Sequence, residues 1–202
     1  MEAVLVGRPN AGKSLFLINF ADYLGLRGLE GGAAGHRRPR GGGLSELRRK
    51  FVSPVPNRVR EPLAATVSLS AGPAGGISLV LRDTVGIPAH GVPEGEIRRA
   101  VAQGLAQLLQ ATFIFHLIDV SPHAVPTPAE EAVDRELHLL AQQIAPSLIL
   151  ANKAEADLGG SRVRRLKELY GPTSVLPVSA LTRLGFRDVK HWLVEQLALE
   201  PP

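Results

Sequence analysis

Apolar positions in this chain come in short runs separated by helix-length amphipathic segments, and the pattern starts almost at the first residue. Ala3-Val4-Leu5-Val6 has strand length and stops at Gly7. Residues 13–24 have the length and apolar density of a helix lying against a sheet. Strands near 64–70 and 77–82 flank Gly72-Pro73-Ala74-Gly75-Gly76, which reads as a hairpin connection. Beyond Asp83 the pattern predicts helix 94–110, strand 113–119, helix 128–143, strand 147–151, helix 161–170, strand 174–178 and helix 186–198. Such alternation specifies an α/β fold with a mostly parallel sheet covered on both faces. Phe186 and Trp192 on the last helix are expected in the core.

One stretch breaks the pattern. Residues 25–43 hold eight glycines together with Arg37, Arg38 and Arg40, a composition that cannot bury enough apolar area to offset its backbone entropy, so disorder is expected. The formal net charge of +4 is concentrated nearby, since residues 27–61 carry nine Arg or Lys against three Glu. Two readings stay open: the charges are simply solvated in loops, or they attract RNA, anionic lipid or an acidic partner. With Phe51 the aromatic within reach, base stacking is not expected, and phosphate attraction is the most the segment suggests.

Composition narrows the chemistry. At 202 residues and 45% hydrophobic content, one domain is expected. The chain contains no cysteine, which excludes disulfides and thiolate metal sites, and its six histidines show no HExxH spacing, so a metal must bind through oxygen. His90, His116, His123 and His138 are expected to be solvated or satisfied within the fold. Neither a transmembrane run nor a secretion signal is visible, so a soluble cytoplasmic protein is expected.

Gly7-Arg8-Pro9-Asn10-Ala11-Gly12-Lys13-Ser14 fits the pattern GxxxxGK followed by Ser or Thr, between a predicted strand and a predicted helix, the context that this phosphate-binding loop requires. Glycines let backbone N–H groups turn toward phosphates, the helix start adds its dipole, Lys13 bridges the outer phosphates and Ser14 offers a hydroxyl to magnesium. Asp83-Thr84-Val85-Gly86 follows an apolar strand; a carboxylate there can hold magnesium, and Gly86 can present its N–H to a terminal phosphate. Two more strands run into Asn152-Lys153-Ala154-Glu155 and Ser179-Ala180-Leu181. All these endings fall at the carboxyl edge of a parallel sheet, where ligands bind. Lysine occurs five times and asparagine four times in the whole chain, yet Lys13, Lys153, Asn10 and Asn152 all lie in these motifs.

With these motifs in this order, residues 1–199 resemble the Era and TrmE type of P-loop GTPase, apart from a Gly/Arg-rich insert at about 25–62 that enlarges the switch I region. The resemblance implies a three-layer sandwich with a six-stranded sheet containing one antiparallel strand, GTP and GDP as ligands, and magnesium held by Ser14, Asp83 and a switch I threonine. It implies a nucleotide site of Gly7, Asn10, Ala11, Gly12, Lys13, Ser14, Leu15, Gly86, Asn152, Lys153, Glu155, Ser179, Ala180 and Leu181, with Asn152 and Lys153 packing around guanine and the Ala180 N–H meeting the base oxygen. The family's base-reading motif is NKxD, and here the acid is Glu155; Asp157 stands two residues on as a substitute. The water-orienting glutamine of Ras-like enzymes is replaced by Ile87, and Asn10 matches the asparagine that holds potassium in some members. The resemblance therefore implies slow, potassium-stimulated hydrolysis with Lys13 and Asn10 in catalytic roles. For the threonine, Thr66 is the nearest candidate before the Asp83 strand, while Asn57-Arg58-Val59-Arg60 matches the family's TTR and puts Val59 in its place. A stand-alone domain is expected, with an effector in trans that is ribosomal by analogy; a nucleotide-binding module with negligible hydrolysis, and an ATPase or nucleotide kinase, are the other readings.

Overall fold

The computed structural model describes residues 1–30, 63–70, 76–91 and 95–199. A seven-stranded sheet runs in the order β2-β3-β4-β1-β5-β6-β7. Its strands are β1 (Glu2–Val6), β2 (Leu26–Glu30), β3 (Ala64–Ser70), β4 (Gly76–Asp83), β5 (Phe113–Asp119), β6 (Ser147–Asn152) and β7 (Val175–Pro177). The helices are α1 (Lys13–Tyr23), α2 (Gly95–Leu108), α3 (Pro128–Ile144), α4 (Ser161–Tyr170) and α5 (Phe186–Leu199).

Pairing is antiparallel between β2 and β3 and between β3 and β4, and parallel elsewhere, so β3 alone runs against the other six strands. The single antiparallel strand agrees with expectation, and the strand count exceeds it by one. The extra strand is β2, built from the start of the segment expected to be disordered. Leu26 and Leu29 explain the difference: averaged over nineteen glycine-rich residues they vanish, but at their own positions both pack against the main core while the backbone bonds to β3. The rest of the Gly/Arg segment, from residue 31 to 62, lies outside the described residues.

Alternation along the strands divides the interior into two faces. Ala3 and Leu5 of β1, Phe113, Phe115 and Leu117 of β5, and Leu148 and Leu150 of β6 face α1 and α5, whose Phe16, Phe20, Phe186 and Leu193 complete that core. The intervening residues face the other helices: Val4, Val6 and Ile114 meet Leu108 of α2 and Ala141 of α3, while Ile118, Ile149 and Val175 meet Val163 of α4. This is the expected three-layer α/β sandwich, and Phe186 and Trp192 pack in its first core as expected. Among the described residues no helix is long and apolar enough to cross a membrane.

Two helix starts differ in how they are capped. α1 is preceded by Gly12 at φ 92°, with no side-chain cap, so its first-turn N–H groups stay available to a ligand. α3 carries a full capping box, in which Thr127 Oγ1 accepts from the Glu130 N–H and Glu130 Oε2 accepts from the Thr127 N–H, with Pro128 in the first turn.

Phe16 joins α1 to both neighbours, its ring centroid 5.0 Å from Phe20, 5.2 Å from Phe186 and 6.2 Å from Phe115. A Phe16→Ala substitution removes a fully buried ring and is expected to cost about 3–5 kcal/mol, read as a lower urea midpoint with unchanged m-value.

Candidate functional site

β1, β4, β5, β6 and β7 all end along one edge of the sheet, and the loops there converge. The phosphate-loop segment turns through left-handed backbone at Asn10 (φ 64°) and Gly12 (φ 92°). A side chain on Gly12 would collide with the amide of Asn152, and one on Gly86 would lie 2.5 Å from the Pro9 nitrogen, so both positions need glycine for close approach. Gly86 therefore packs directly on the loop, and the next residue, Ile87, donates its N–H to the Gly7 carbonyl at 3.2 Å. Asn10 is exposed near the loop's tip, Ala11 is buried beneath it, and Leu15 is half-buried in α1.

Lys13 is buried and donates from Nζ to the carbonyls of Gly7 (3.1 Å) and Arg8 (2.9 Å). Burial lowers its pKa to about 8, with the charges of Asp83 and Asp134 opposing the shift. Burial likewise raises the pKa of Asp83, against the pull of Lys13, Ser14 and the Thr84 backbone. Ser14 Oγ donates to Asp83 Oδ2, and Thr84 Oγ1 donates to the Leu5 carbonyl at 2.7 Å, fixing this strand end against β1. Asp83 Oδ1 is buried with no hydrogen-bond partner. A buried carboxylate oxygen left in this way is costly unless a cation or donor supplies the missing contact. Ser14 and Asp83 present hard oxygens, the donor set that suits magnesium. Among the described residues no group of three or more His, Cys, Asp or Glu is placed to hold a metal, so a cation here would draw its other contacts from ligand oxygens or water.

The second half of the site is organised by Asn152. Its Nδ2 donates to the Ala11 carbonyl at 2.7 Å, and its Oδ1 accepts from the Ala180 N–H at 2.9 Å. Asn19 of α1 adds a third tie, donating to the Ala180 carbonyl at 2.7 Å. The amide of Asn152 and the N–H of Ala180, both expected at the base, are thus bonded to each other in this arrangement. Lys153 stands in left-handed backbone at φ 65° and donates to Asp119 Oδ2 at 2.5 Å. Glu155 is exposed on the 3-10 turn Ala154–Ala156. Asp157 Oδ2 accepts the N–H groups of Arg162 and Val163, each at 3.1 Å, so this oxygen caps the start of α4. Ser179 is buried with Oγ accepting from the Thr182 N–H at 2.9 Å, and Leu181 is exposed.

Thr66 is the sequence candidate that the fold does not bring to this edge. It sits within β3 opposite Val80, three residues short of Asp83 on the neighbouring strand, which is about 10 Å at the usual strand rise. Its place in the ladder leaves Thr66 away from Ser14 and Asp83, with its backbone held by β2 and β4 on either side. Val59, the other candidate position, lies outside the described residues.

Two polar residues unremarked in the sequence prove structural to the site. Arg8 reaches α3, with Nε 2.9 Å from Asp134 Oδ2 and a terminal nitrogen 2.8 Å from Glu130 Oε1. As a variable position of the loop motif it carried no signal. Asn19 did carry one: it is one of only four asparagines and interrupts an apolar helix.

No family model matches the chain. The tRNA modification GTPase MnmE of Roseiflexus castenholzii is 31% identical over 199 residues, covering 91% of this chain and 34% of the relative. MnmE of Roseiflexus sp. (strain RS-1) is 29% identical over 195 residues, with 93% and 34% covered. Among solved structures, Aquifex aeolicus Era bound to GDP.AlF4- superposes with a TM-score of 0.66 at 18% identity, covering 96% of this chain and 56% of that one. The chain is thus similar to the P-loop GTPases of the Era and TrmE type, the relatives being MnmE and the fold that of Era. It spans about a third of the length of the curated relatives it matches. A second Era structure, in complex with MgGDPNP and a segment of 16S ribosomal RNA, gives a TM-score of 0.62 at 17% identity, with 96% and 56% covered.

Asn152→Ala strands two buried groups, the Ala11 carbonyl and the Ala180 N–H. The expected loss is about 2–6 kcal/mol, summing the desolvation of both, measured by urea denaturation without nucleotide.

Proposed function

We propose that this chain is a guanine-nucleotide switch that hydrolyses GTP slowly. The observation that carries the reading is the convergence, at one sheet edge, of the glycine loop with Lys13, the Ser14 and Asp83 pair, and the Asn152 tie between the phosphate and base halves. The relatives named as GTPases, and the Era structures solved with GDP.AlF4- and MgGDPNP, support the same reading.

In this mechanism the loop N–H groups and the first turn of α1 hold the β and γ phosphates, and Lys13 exchanges its two carbonyl acceptors for phosphate oxygens. Ser14 and Asp83 would hold magnesium, which neutralises phosphate charge when bound. Gly86 offers its N–H to the γ phosphate and, packed on Pro9, transmits its presence to the segment beyond. Asn152, Lys153, Ser179, Ala180 and Leu181 form the base end, with Glu155 as the acid toward guanine. Ile87 supplies no water-orienting group; Asn10 would hold a potassium ion, whose charge would take the place of an arginine finger. A ribosomal or other RNA-bearing effector in trans, met through the basic 27–61 segment, completes the proposal; one Era relative is solved with 16S ribosomal RNA.

The position of Thr66 and the hydrophobic Ile87 favour a second reading, a nucleotide-binding module with negligible hydrolysis. Phosphate release separates the two: equal background rates in potassium and sodium buffers support the module, and faster release in potassium supports the switch.

Competition against fluorescent GDP is expected to favour unlabelled GDP over ADP by at least about tenfold, and Glu155→Asp to tighten GDP binding by about tenfold, the worth of one better-aligned hydrogen bond. Equal competition by ADP would remove the guanine assignment. The pH dependence follows from Lys13. With its pKa in the free protein at about 8, the cation that phosphate requires is fully present below that pH and is lost above it. Nucleotide affinity is therefore expected to fall about tenfold between pH 7 and pH 9, and Lys13→Arg, charged throughout, to flatten the profile.

A further inference from the structure

An ion pair spans the ends of β5 and β6 at the base end of the site: Lys153 Nζ donates to Asp119 Oδ2 at 2.5 Å. The two partners are not equally fixed. Asp119 is the last residue of β5, stands opposite Asn152 in the parallel ladder, and accepts the Ser121 N–H through Oδ1 at 2.8 Å. The next residue, Val120, donates its N–H to the Asn152 carbonyl at 2.9 Å, so the backbone beside this carboxylate is locked to β6. The Asp119 side chain is 14% exposed, against 36% for Lys153. A short side chain set by its strand and its own turn has little freedom, whereas the four-carbon stem of a lysine has much. Asp119 is therefore the anchor, and Lys153 is the residue being placed.

Lys153 is pinned at both ends. Its backbone is left-handed at φ 65°, and the following N–H, of Ala154, donates to the Val178 carbonyl at 3.0 Å. With the ammonium held by Asp119, the methylene stem between has a defined path, and such a stem is an apolar surface on which a flat ring can lie. A pair this open contributes little to folding stability, so its effect is on geometry and charge. Two carboxylates follow Lys153 closely in the chain, Glu155 and Asp157, and one oxygen of Asp157 is taken by the start of α4. Glu155 is exposed, and an unanchored ammonium two residues away would be drawn to it. Pairing with Asp119 keeps the cation on the β5 side.

We propose, on the guanine-nucleotide reading above, that Asp119 is a positioning residue for base recognition. It fixes the Lys153 stem as a platform for the purine and keeps the lysine charge off Glu155, whose carboxylate is then available to the ring N–H and amine of guanine. Asp119 acts on the base and not on the phosphates, and it acts through Lys153.

Asp119→Asn removes the charge but keeps an oxygen for the Ser121 N–H, so the turn is retained. Binding of GDP, ADP and inorganic tripolyphosphate, each with magnesium, is measured by calorimetry for the wild-type protein, Asp119→Asn, Lys153→Met and the double variant. Asp119→Asn is expected to weaken GDP about tenfold, the scale of one charge-assisted hydrogen bond, and to narrow the preference for GDP over ADP. Tripolyphosphate, which carries no base, is expected to bind no more weakly than before. In the Lys153→Met background the same substitution is expected to change GDP affinity by less than about twofold. Asp119→Glu, which restores the carboxylate, is expected to recover most of the loss. Tripolyphosphate weakened as much as GDP would show general damage to the site and overturn the proposal. So would an equal loss of GDP affinity with and without the Lys153 side chain. Wild-type protein that binds GDP no better than ADP removes the guanine reading and the proposal together, whereas a wild-type preference that survives Asp119→Asn undiminished removes the proposal alone.

Discussion

The buried amide of Asn152 is the interaction on which the candidate site depends. It lies at the end of β6, yet it bonds forward to Ala11 in the phosphate loop and sideways to Ala180 after β7. Three loops from distant parts of the chain are thereby held at fixed separation by one side chain that is almost wholly out of water. An amide suits the task because it offers a donor and an acceptor a short distance apart, and in a low-dielectric setting both must be used. Gly12 approaches so closely that any side chain there would strike this amide. Asn19 extends the brace into α1, so the helix that follows the glycine loop is tied to the loop after β7.

Around this frame the electrostatics are only partly balanced. Lys13 and Asp83 are both buried, and burial pushes each toward its neutral form. Lys13 meets this by bonding to loop carbonyls; Asp83 satisfies one oxygen through Ser14 and leaves the other without a hydrogen bond. A ligand bringing phosphate oxygens and a divalent cation would answer both deficits together. Partly unsatisfied polar groups in an otherwise closed core are where binding energy is concentrated, and the same groups make the site sensitive to pH.

The Arg8 link widens the consequences. In the loop, Arg8 contributes its carbonyl to Lys13, while its guanidinium is held by Asp134 and Glu130 on α3. Glu130 also closes the capping box with Thr127, whose hydroxyl lies 3.2 Å from His90 Nε2 in the segment after Gly86. His90 thus finds a partner in the fold and His138 packs on Tyr170, whereas His116, expected to be solvated or satisfied, is buried with neither ring nitrogen hydrogen-bonded, its Nε2 3.4 Å from Asp134 Oδ1. The start of α3 joins the phosphate loop and the segment following Asp83 through contacts between charged or polar groups.

Much of this was legible in the residues because it is local. The phosphate loop, the strand ends at Asp83 and Asn152, and the alternation of helix and strand all follow from patterns a few residues long, and parallel strands place their ends on one edge whatever their order. Leu26 and Leu29 were legible too, but only one by one; a compositional average over a glycine-rich stretch erased them. What the residues could not reveal is which distant group each polar atom would meet. Arg8 and Asp134 lie 126 residues apart, and Asn152 and Ala11 are separated by 141. Thr66 falls within the ladder because of the β3/β4 register, and Asp157 turns to α4 because that helix begins beside it. Local propensity chooses helix or strand from neighbouring residues, whereas pairings across the fold depend on strand order, register and burial, which exist once the chain has packed.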